Sequence, residues 1–205
     1  MSKRSDQEDF WAGDFGTTYI NRNDDRNLIA GNTQLFAEAL KGLNFHSILE
    51  IGANIGQNLS AIQNLHPNAS LSAIEINATA STELSKRHPD CKVWNTSITE
   101  AEGIPEHDLV LSKGVLIHLN PNLLEAVYKR ILEWSNKFIL IAEYYNPTPV
   151  SIPYRGHEDR LFKRDFAGEL MAIEPSLSLV RYGFCYRNDP VHPLDDITWF
   201  LLEKN

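Results

Sequence analysis

Two glycines four residues apart follow a short apolar run in Leu49-Glu50-Ile51-Gly52-Ala53-Asn54-Ile55-Gly56-Gln57. Glycine there lets the backbone turn tightly and lets a ligand reach the main chain with no Cβ in the way. Glu75 ends the next apolar run, 23 residues after Gly52. Nucleotide-binding folds place an acidic residue at about this spacing, where its carboxylate accepts both hydroxyls of a ribose. The alternative is a charged strand end facing water. The loop has no Lys followed by Ser or Thr, so it is not a Walker phosphate loop. It also lacks the G-x-G-x-x-G order of dinucleotide enzymes.

Other residues have the types for proton transfer and anchoring. The imidazole of His118 titrates near neutrality, which suits a general base. The same ring also suits capping the next helix or a structural contact with a bound ligand. Glu143 and Tyr144 follow an apolar run. There Glu143 anchors or deprotonates an acceptor, or else ends a strand in solvent. Tyr154, Arg155, His157, Asp159 and Arg160 crowd one segment, with Lys163 and Arg164 after it. Close charges of both signs suit a polar or carboxylate-bearing acceptor, because Arg grips a carboxylate with two parallel hydrogen bonds. They equally suit a salt-bridged surface loop. His157 and Asp159 have no evident further ligand set, so no metal is expected.

These residues need elements to hold them. Residues 47–51, 71–76, 93–94, 108–112 and 138–142 read as short strands, and residues 57–65, 78–87 and 122–134 as helices between them. Strand alternating with helix at this spacing predicts a doubly wound α/β domain on a mostly parallel sheet. Residues 32–42 look helical, with Gly42 as a stop. Residues 163–173 can form a helix, and 177–186 with 197–203 read as an antiparallel hairpin closing the sheet. Residues 146–160 read as one long irregular segment, of the kind that often carries function. Residues 1–9 are expected to fray, and residues 10–30 to form a short helix and loop over the main domain. Trp11 and Phe15 are expected to pack there rather than to stack on a ligand.

With 205 residues the chain fits one domain. Nineteen Lys and Arg against 27 Asp and Glu leave a net charge of −8, which disfavours nucleic acid as a partner. Cys91 and Cys185 have no metal or disulfide spacing, so reduced thiols in a cytoplasm are the expectation. No stretch approaches a membrane span or the core of a signal peptide.

The segment Glu50-x-Gly52-x-x-x-Gly56 resembles the E/D-x-G-x-x-x-G motif of class I S-adenosylmethionine-dependent methyltransferases. Glu75, the loop Asn95-Thr96-Ser97-Ile98 and the segment from Asp108 to Pro121 match the same pattern in order. The resemblance implies a Rossmann-like methyltransferase fold with a seven-stranded sheet, and S-adenosyl-L-methionine as cofactor with S-adenosyl-L-homocysteine as product. It implies that Glu50, Gly52, Asn54 and Gly56 border the methionine part. Glu75 would hold the ribose, with Ile76 and Asn77 towards the adenine. Ser97 or Thr96, beside Ile98, would meet the adenine amino group, where many relatives have Asp. Lys113, Gly114 and His118 would lie near the cofactor, and Lys113 departs from the commoner small or aromatic residue.

Three further segments resemble a narrower group, the methylases associated with pseudaminic acid biosynthesis: residues 10–23, residues 143–147 and residues 152–167. This resemblance implies a lid over residues 1–30, closing on a methyltransferase domain over residues 31–205. Tyr19, Arg22 and Asn23 of the lid would contact the carboxylate of the cofactor. Tyr145, Tyr154, Arg155, Asp159 and Arg160 would hold a sugar or other small polar acceptor for O- or N-methylation. Other readings are a non-catalytic partner protein of the same fold, a methyltransferase acting on protein or RNA, and an NAD-dependent enzyme. Intact Gly52, Gly56 and Glu75 argue against the first. The negative charge, and a fourth strand ending in Leu111-Ser112-Lys113-Gly114, argue against the RNA case. The order of the glycines argues against NAD.

Overall fold

The computed structural model describes residues 4–23 and 26–205, with residues 21–23, 26 and 27 described by backbone alone. The chain opens with three helices, α1 (Asp6–Ala12), α2 (Asp14–Asn23) and α3 (Arg26–Ala39). Strand and helix then alternate as β1 (Ser47–Ile51), α4 (Gln57–Leu65), β2 (Ser70–Ile74), α5 (Ala78–Arg87), β3 (Lys92–Trp94) and β4 (His107–Lys113). After two single-turn helices come α6 (Leu124–Trp134) and β5 (Ser135–Glu143). The remainder is β6 (Val150–Tyr154), β7 (His157–Lys163), α7 (Phe166–Ile173), β8 (Leu177–Cys185) and β9 (Ile197–Lys204).

The main sheet has the order β3-β2-β1-β4-β5-β9-β8. The first five strands run parallel, while β9 and β8 pair antiparallel at the end. Alternation along each strand feeds two cores, as the period of two requires. Ile48, Leu109, Leu111 and Leu140 point to the side of α3, α4 and α5. Leu49, Ile51, Val110, Ile139 and Ile141 point to the side of α6 and α7. The order reverses between β1 and β4, so the chain leaves these neighbours in opposite directions. A crevice at their carboxyl ends follows. No helix of the described residues is long and apolar enough to cross a membrane.

Three sequence expectations are corrected. Residues 146–160 are not irregular: most of them belong to the two-stranded hairpin β6–β7. Its turn, Arg155-Gly156, has φ of 52° and 83°, the left-handed pair that matches the twist of a tight hairpin. Residues 6–9 do not fray, because Ser5 and Glu8 form a reciprocal capping box that starts α1. Helix α2 replaces the loop expected after it.

Candidate functional site

The crevice is a cavity of about 630 Å³. Its floor is the turn after β1. Gly52 has φ of 65° and Gly56 of 82°, and a Cβ on Gly52 would come within 2.6 Å of Val115. Both amides at the start of this turn, Gly52 N and Ala53 N, donate to Ile74 O, which pins the loop to β2. Gly56 caps α4 and does not line the cavity. Glu50 lies beneath the loop, fully buried, and accepts from Asn58 Nδ2 at 2.6 Å. Burial pushes its pKa up to about 8.

Glu75 stands at the end of β2 and lines the cavity. Its two oxygens accept from Asn54 N and Asn77 N, each at 2.7 Å. Burial raises its pKa, and those backbone donors oppose the rise. Asn54, Ile76, Asn77, Ser97 and Ile98 also line the cavity. Asn77, however, turns its amide to the N-terminal helices. Nδ2 donates to the carbonyls of Trp11, Ala12 and Gly13 at 3.2–3.3 Å and to Thr17 Oγ1 at 3.1 Å. The Ser97 hydroxyl likewise donates to Glu8, which accepts from Thr99 Oγ1 at 2.7 Å as well. Burial raises the pKa of Glu8, but its hydrogen bonds from Ser97, Ser5 and Thr99 outweigh that and hold it below the usual range. Helices α1 and α2 are thereby fastened across the carboxyl edge of the sheet.

Lys113, Gly114, His118, Tyr19, Tyr144, Tyr154 and Arg155 complete the expected residues that the cavity brings together. The His118 ring lies between Trp11 and Tyr154, with centroids 4.7 and 4.9 Å away. Its Nδ1–H donates to Arg160 O at 2.6 Å, which leaves the Nε2 lone pair free of that bond. Burial pushes its pKa down to about 4, against the opposing Arg160 carbonyl. The native ring is therefore neutral where an unfolded one, at 6.5, takes a proton. The unfolded state binds more protons in that window, so this contribution is present above about pH 6.5 and lost as pH falls towards 4. It amounts to roughly 3 kcal/mol. His66, His88 and His107 are lowered too, so a difference isolates the effect. Thermal midpoints of wild type and His118→Asn, compared from pH 7 to 4, should converge on acidification. Parallel curves would contradict this reading.

Other expected residues lie elsewhere. Glu143 does not line the cavity. It is 2% exposed, and its Oε1 accepts from Ser112 Oγ, Val115 N and Leu116 N at 2.8–3.1 Å. It clasps the turn after β4, which removes it from contact with an acceptor. Tyr145 is exposed against Phe200. His157 packs edge-on against Phe10 and Phe15, outside the cavity. Asp159 offers its carbonyl to Gln7, and Arg160 lies over the Phe10 ring. These last three hold the hairpin to α1. The side chains of Arg22 and Asn23 lie outside the described ones.

The sequence reading missed Glu8, Asn32, Asn58 and Asp195, all of which line the cavity. Asp195 accepts from the Tyr144 hydroxyl, and burial followed by this carboxylate raises the Tyr144 pKa. Trp11 Nε1, Asn32 Oδ1, Asn54 Oδ1 and Asn58 Oδ1 are buried and have no hydrogen-bond partner among the described residues. Such groups are costly unless a ligand or water satisfies them.

No family model matches the chain, and no curated protein matches it in sequence. Solved structures do match. The 1,6-didemethyltoxoflavin-N1-methyltransferase of Burkholderia thailandensis, with 1,6-didemethyltoxoflavin and S-adenosylhomocysteine bound, has a TM-score of 0.73 at 14% identity. That match covers 100% of this chain and 93% of that one. The magnesium protoporphyrin IX methyltransferase of Synechocystis PCC 6803, with S-adenosylhomocysteine bound, has a TM-score of 0.70 at 12% identity, covering 98% and 100%. An S-adenosylmethionine-dependent methyltransferase of Leishmania major has a TM-score of 0.70 at 16% identity, covering 96% and 81%. The chain shares the Rossmann-like fold of these proteins.

Proposed function

We propose that the chain is an S-adenosylmethionine-dependent methyltransferase acting on a small polar metabolite, a sugar or a nonulosonic-acid-related compound. The observation that carries the reading is the pairing, in one cavity, of the buried Glu75 carboxylate with partnerless polar atoms at Asn32, Asn54 and Asn58. The cofactor fits this set. Its ribose hydroxyls suit Glu75, whose oxygens keep acceptor capacity beyond their two backbone donors. Its α-ammonium suits the asparagine oxygens. Its adenine suits the apolar flanks Ile76 and Ile98. The bound cofactor supplies a methyl group on a sulfonium, which leaves without help from a metal.

The chain's own residues then do three things. Helices α1 and α2 act as a lid over residues 1–30, held by Glu8 and Asn77, and keep water from the methyl group. Tyr154 and Arg155 present a polar acceptor, and Asp195 with Tyr144 offers it a carboxylate and a phenol. His118, whose ring lies 4.9 Å from that of Tyr154, is a neutral, weak base suited to orienting a hydroxyl more than to removing its proton. The sugar acceptor rests on the resemblance of residues 10–23, 143–147 and 152–167 to the pseudaminic-acid-associated methylases. That the Burkholderia and Synechocystis proteins act on small molecules is in keeping with a small acceptor.

Isothermal titration tests the cofactor. The wild type is expected to bind S-adenosylhomocysteine with micromolar affinity and to give no heat with NAD. The reverse pattern, or no binding of either, would sink the reading.

A further inference from the structure

The Lys113 amine lies at the cavity with no hydrogen-bond or ion-pair partner among the described residues. Lys113 is the last residue of β4. By alternation it shares a sheet face with Leu109 and Leu111, which enter the core beneath α3 and α4. It lines the cavity and keeps some accessible surface there. Among the described residues its ammonium makes no hydrogen bond or ion pair. Glu50, Glu143, Asp195 and Cys185 favour its charged form only at longer range, and burial outweighs them, lowering its pKa.

Glu50 Oε2 and Glu143 Oε2 are buried with no hydrogen-bond partner among the described residues, yet no carboxylate oxygen forms an ion pair with Lys113. Burial holds Glu50 largely protonated near neutrality. One oxygen of Glu143 already takes three donors. Asp195 accepts from Tyr144. An ammonium has three donors and no acceptor, so in a desolvated place it requires oxygens from elsewhere. The Asn32 and Asn58 oxygens, on the helices covering the same sheet face, have the opposite need. An amine and acceptor oxygens without partners among the described residues, lining one cavity on the same face of the sheet, complement a zwitterion.

We propose that Lys113 binds the α-carboxylate of the cofactor's methionine end, while the Asn32 and Asn58 oxygens receive its α-ammonium. The proposal rests on the cofactor reading above and adds the residue that selects for the amino-acid end. It makes Lys113, not the lid, the seat of the carboxylate.

The test compares S-adenosylhomocysteine with decarboxylated S-adenosylhomocysteine, which keeps the adenosine, thioether and amine and lacks only the carboxylate. Calorimetry on the wild type should show the intact ligand bound at least about 10-fold tighter, as expected for a charge-assisted hydrogen bond. In Lys113→Met the two affinities should become equal, because only the intact ligand weakens. Retained binding of the decarboxylated ligand shows that the variant is folded. Equal weakening of both ligands, or an unchanged affinity for the intact one, overturns the proposal. Should Lys113→Met not fold, Lys113→Gln takes its place. A wild type that binds both ligands equally overturns it without any variant. A wild type that binds neither removes the cofactor reading itself, which distinguishes the two failures.

Discussion

Glu75→Ala should weaken S-adenosylhomocysteine binding by at least about 100-fold, the loss of two charge-assisted hydrogen bonds to the ribose. Glu75 is 6% exposed, at the carboxyl end of β2. Its oxygens also tie Asn54 N and Asn77 N, so removal frees both loops that face the ribose. Glu75→Gln separates binding from folding. Burial raises the Glu75 pKa, which means the fold disfavours the charge that the ligand would use. The neutral isostere keeps one acceptor but turns its NH2 against the other backbone N–H, so it should melt a few degrees below the wild type, above Glu75→Ala, and bind at least about 10-fold more weakly. Calorimetry and thermal melts on the three proteins check both halves. Wild-type affinity in Glu75→Ala would mean that the nucleoside sits elsewhere.

The second large effect is on stability. Glu143→Ala should cost about 4 kcal/mol, because it leaves two backbone N–H groups and the Ser112 hydroxyl without their acceptor inside the core. For a chain of this size that lowers the melting temperature by roughly 10 °C. Glu143→Gln keeps an oxygen in the same place and removes a charge that burial disfavours, so it should melt near the wild type. The pair also decides what the residue does. If Glu143 were the proton acceptor of the reaction, Glu143→Gln would retain the fold and lose turnover. A clasp for the turn after β4 predicts that turnover survives. Equal melting of Glu143→Ala and wild type would contradict the clasp.

The parallel half of the sheet was legible because its strands are continuous apolar runs and its helices fall between them at regular spacing. Gly52 and Glu75 stood out for the same reason: each interrupts an apolar strand at its carboxyl end, where only a turn or a ligand explains the residue. The hairpin β6–β7 was not legible. β6 alternates, with Ile152 and Tyr154 half-buried and Ser151 and Pro153 exposed, but Pro153 speaks against a strand, and β7 opens on three exposed polar residues, His157, Glu158 and Asp159. The turn between them uses Arg155 before Gly156 instead of the Asn or Asp usual there. The burial of Glu8 depends on Ser97, 89 residues away, which no local pattern reports. Only the Ser5-x-x-Glu8 capping box hinted that a helix begins there. Glu143 misled for a related reason. An acid at a strand end looks the same in sequence whether it faces a ligand or three buried donors.

The fastening of α1 and α2 also orders events during synthesis. Their partners lie far ahead in the chain: Trp11 O waits for Asn77, 66 residues on, Glu8 for Ser97, and Gln7 for Asp159, 152 residues on. At a ribosomal rate of about 5–20 residues per second, Phe10, Trp11, Phe15 and Tyr19 wait on the order of ten seconds before the hairpin they pack against exists. Helices α1 and α2 are thus made well before the elements they dock on, and for that interval a nascent chain carries an uncovered aromatic cluster. Such a cluster is a natural point of chaperone capture. The cavity, which needs both roof and floor, gains its last walls only after Leu194 and Asp195 have emerged.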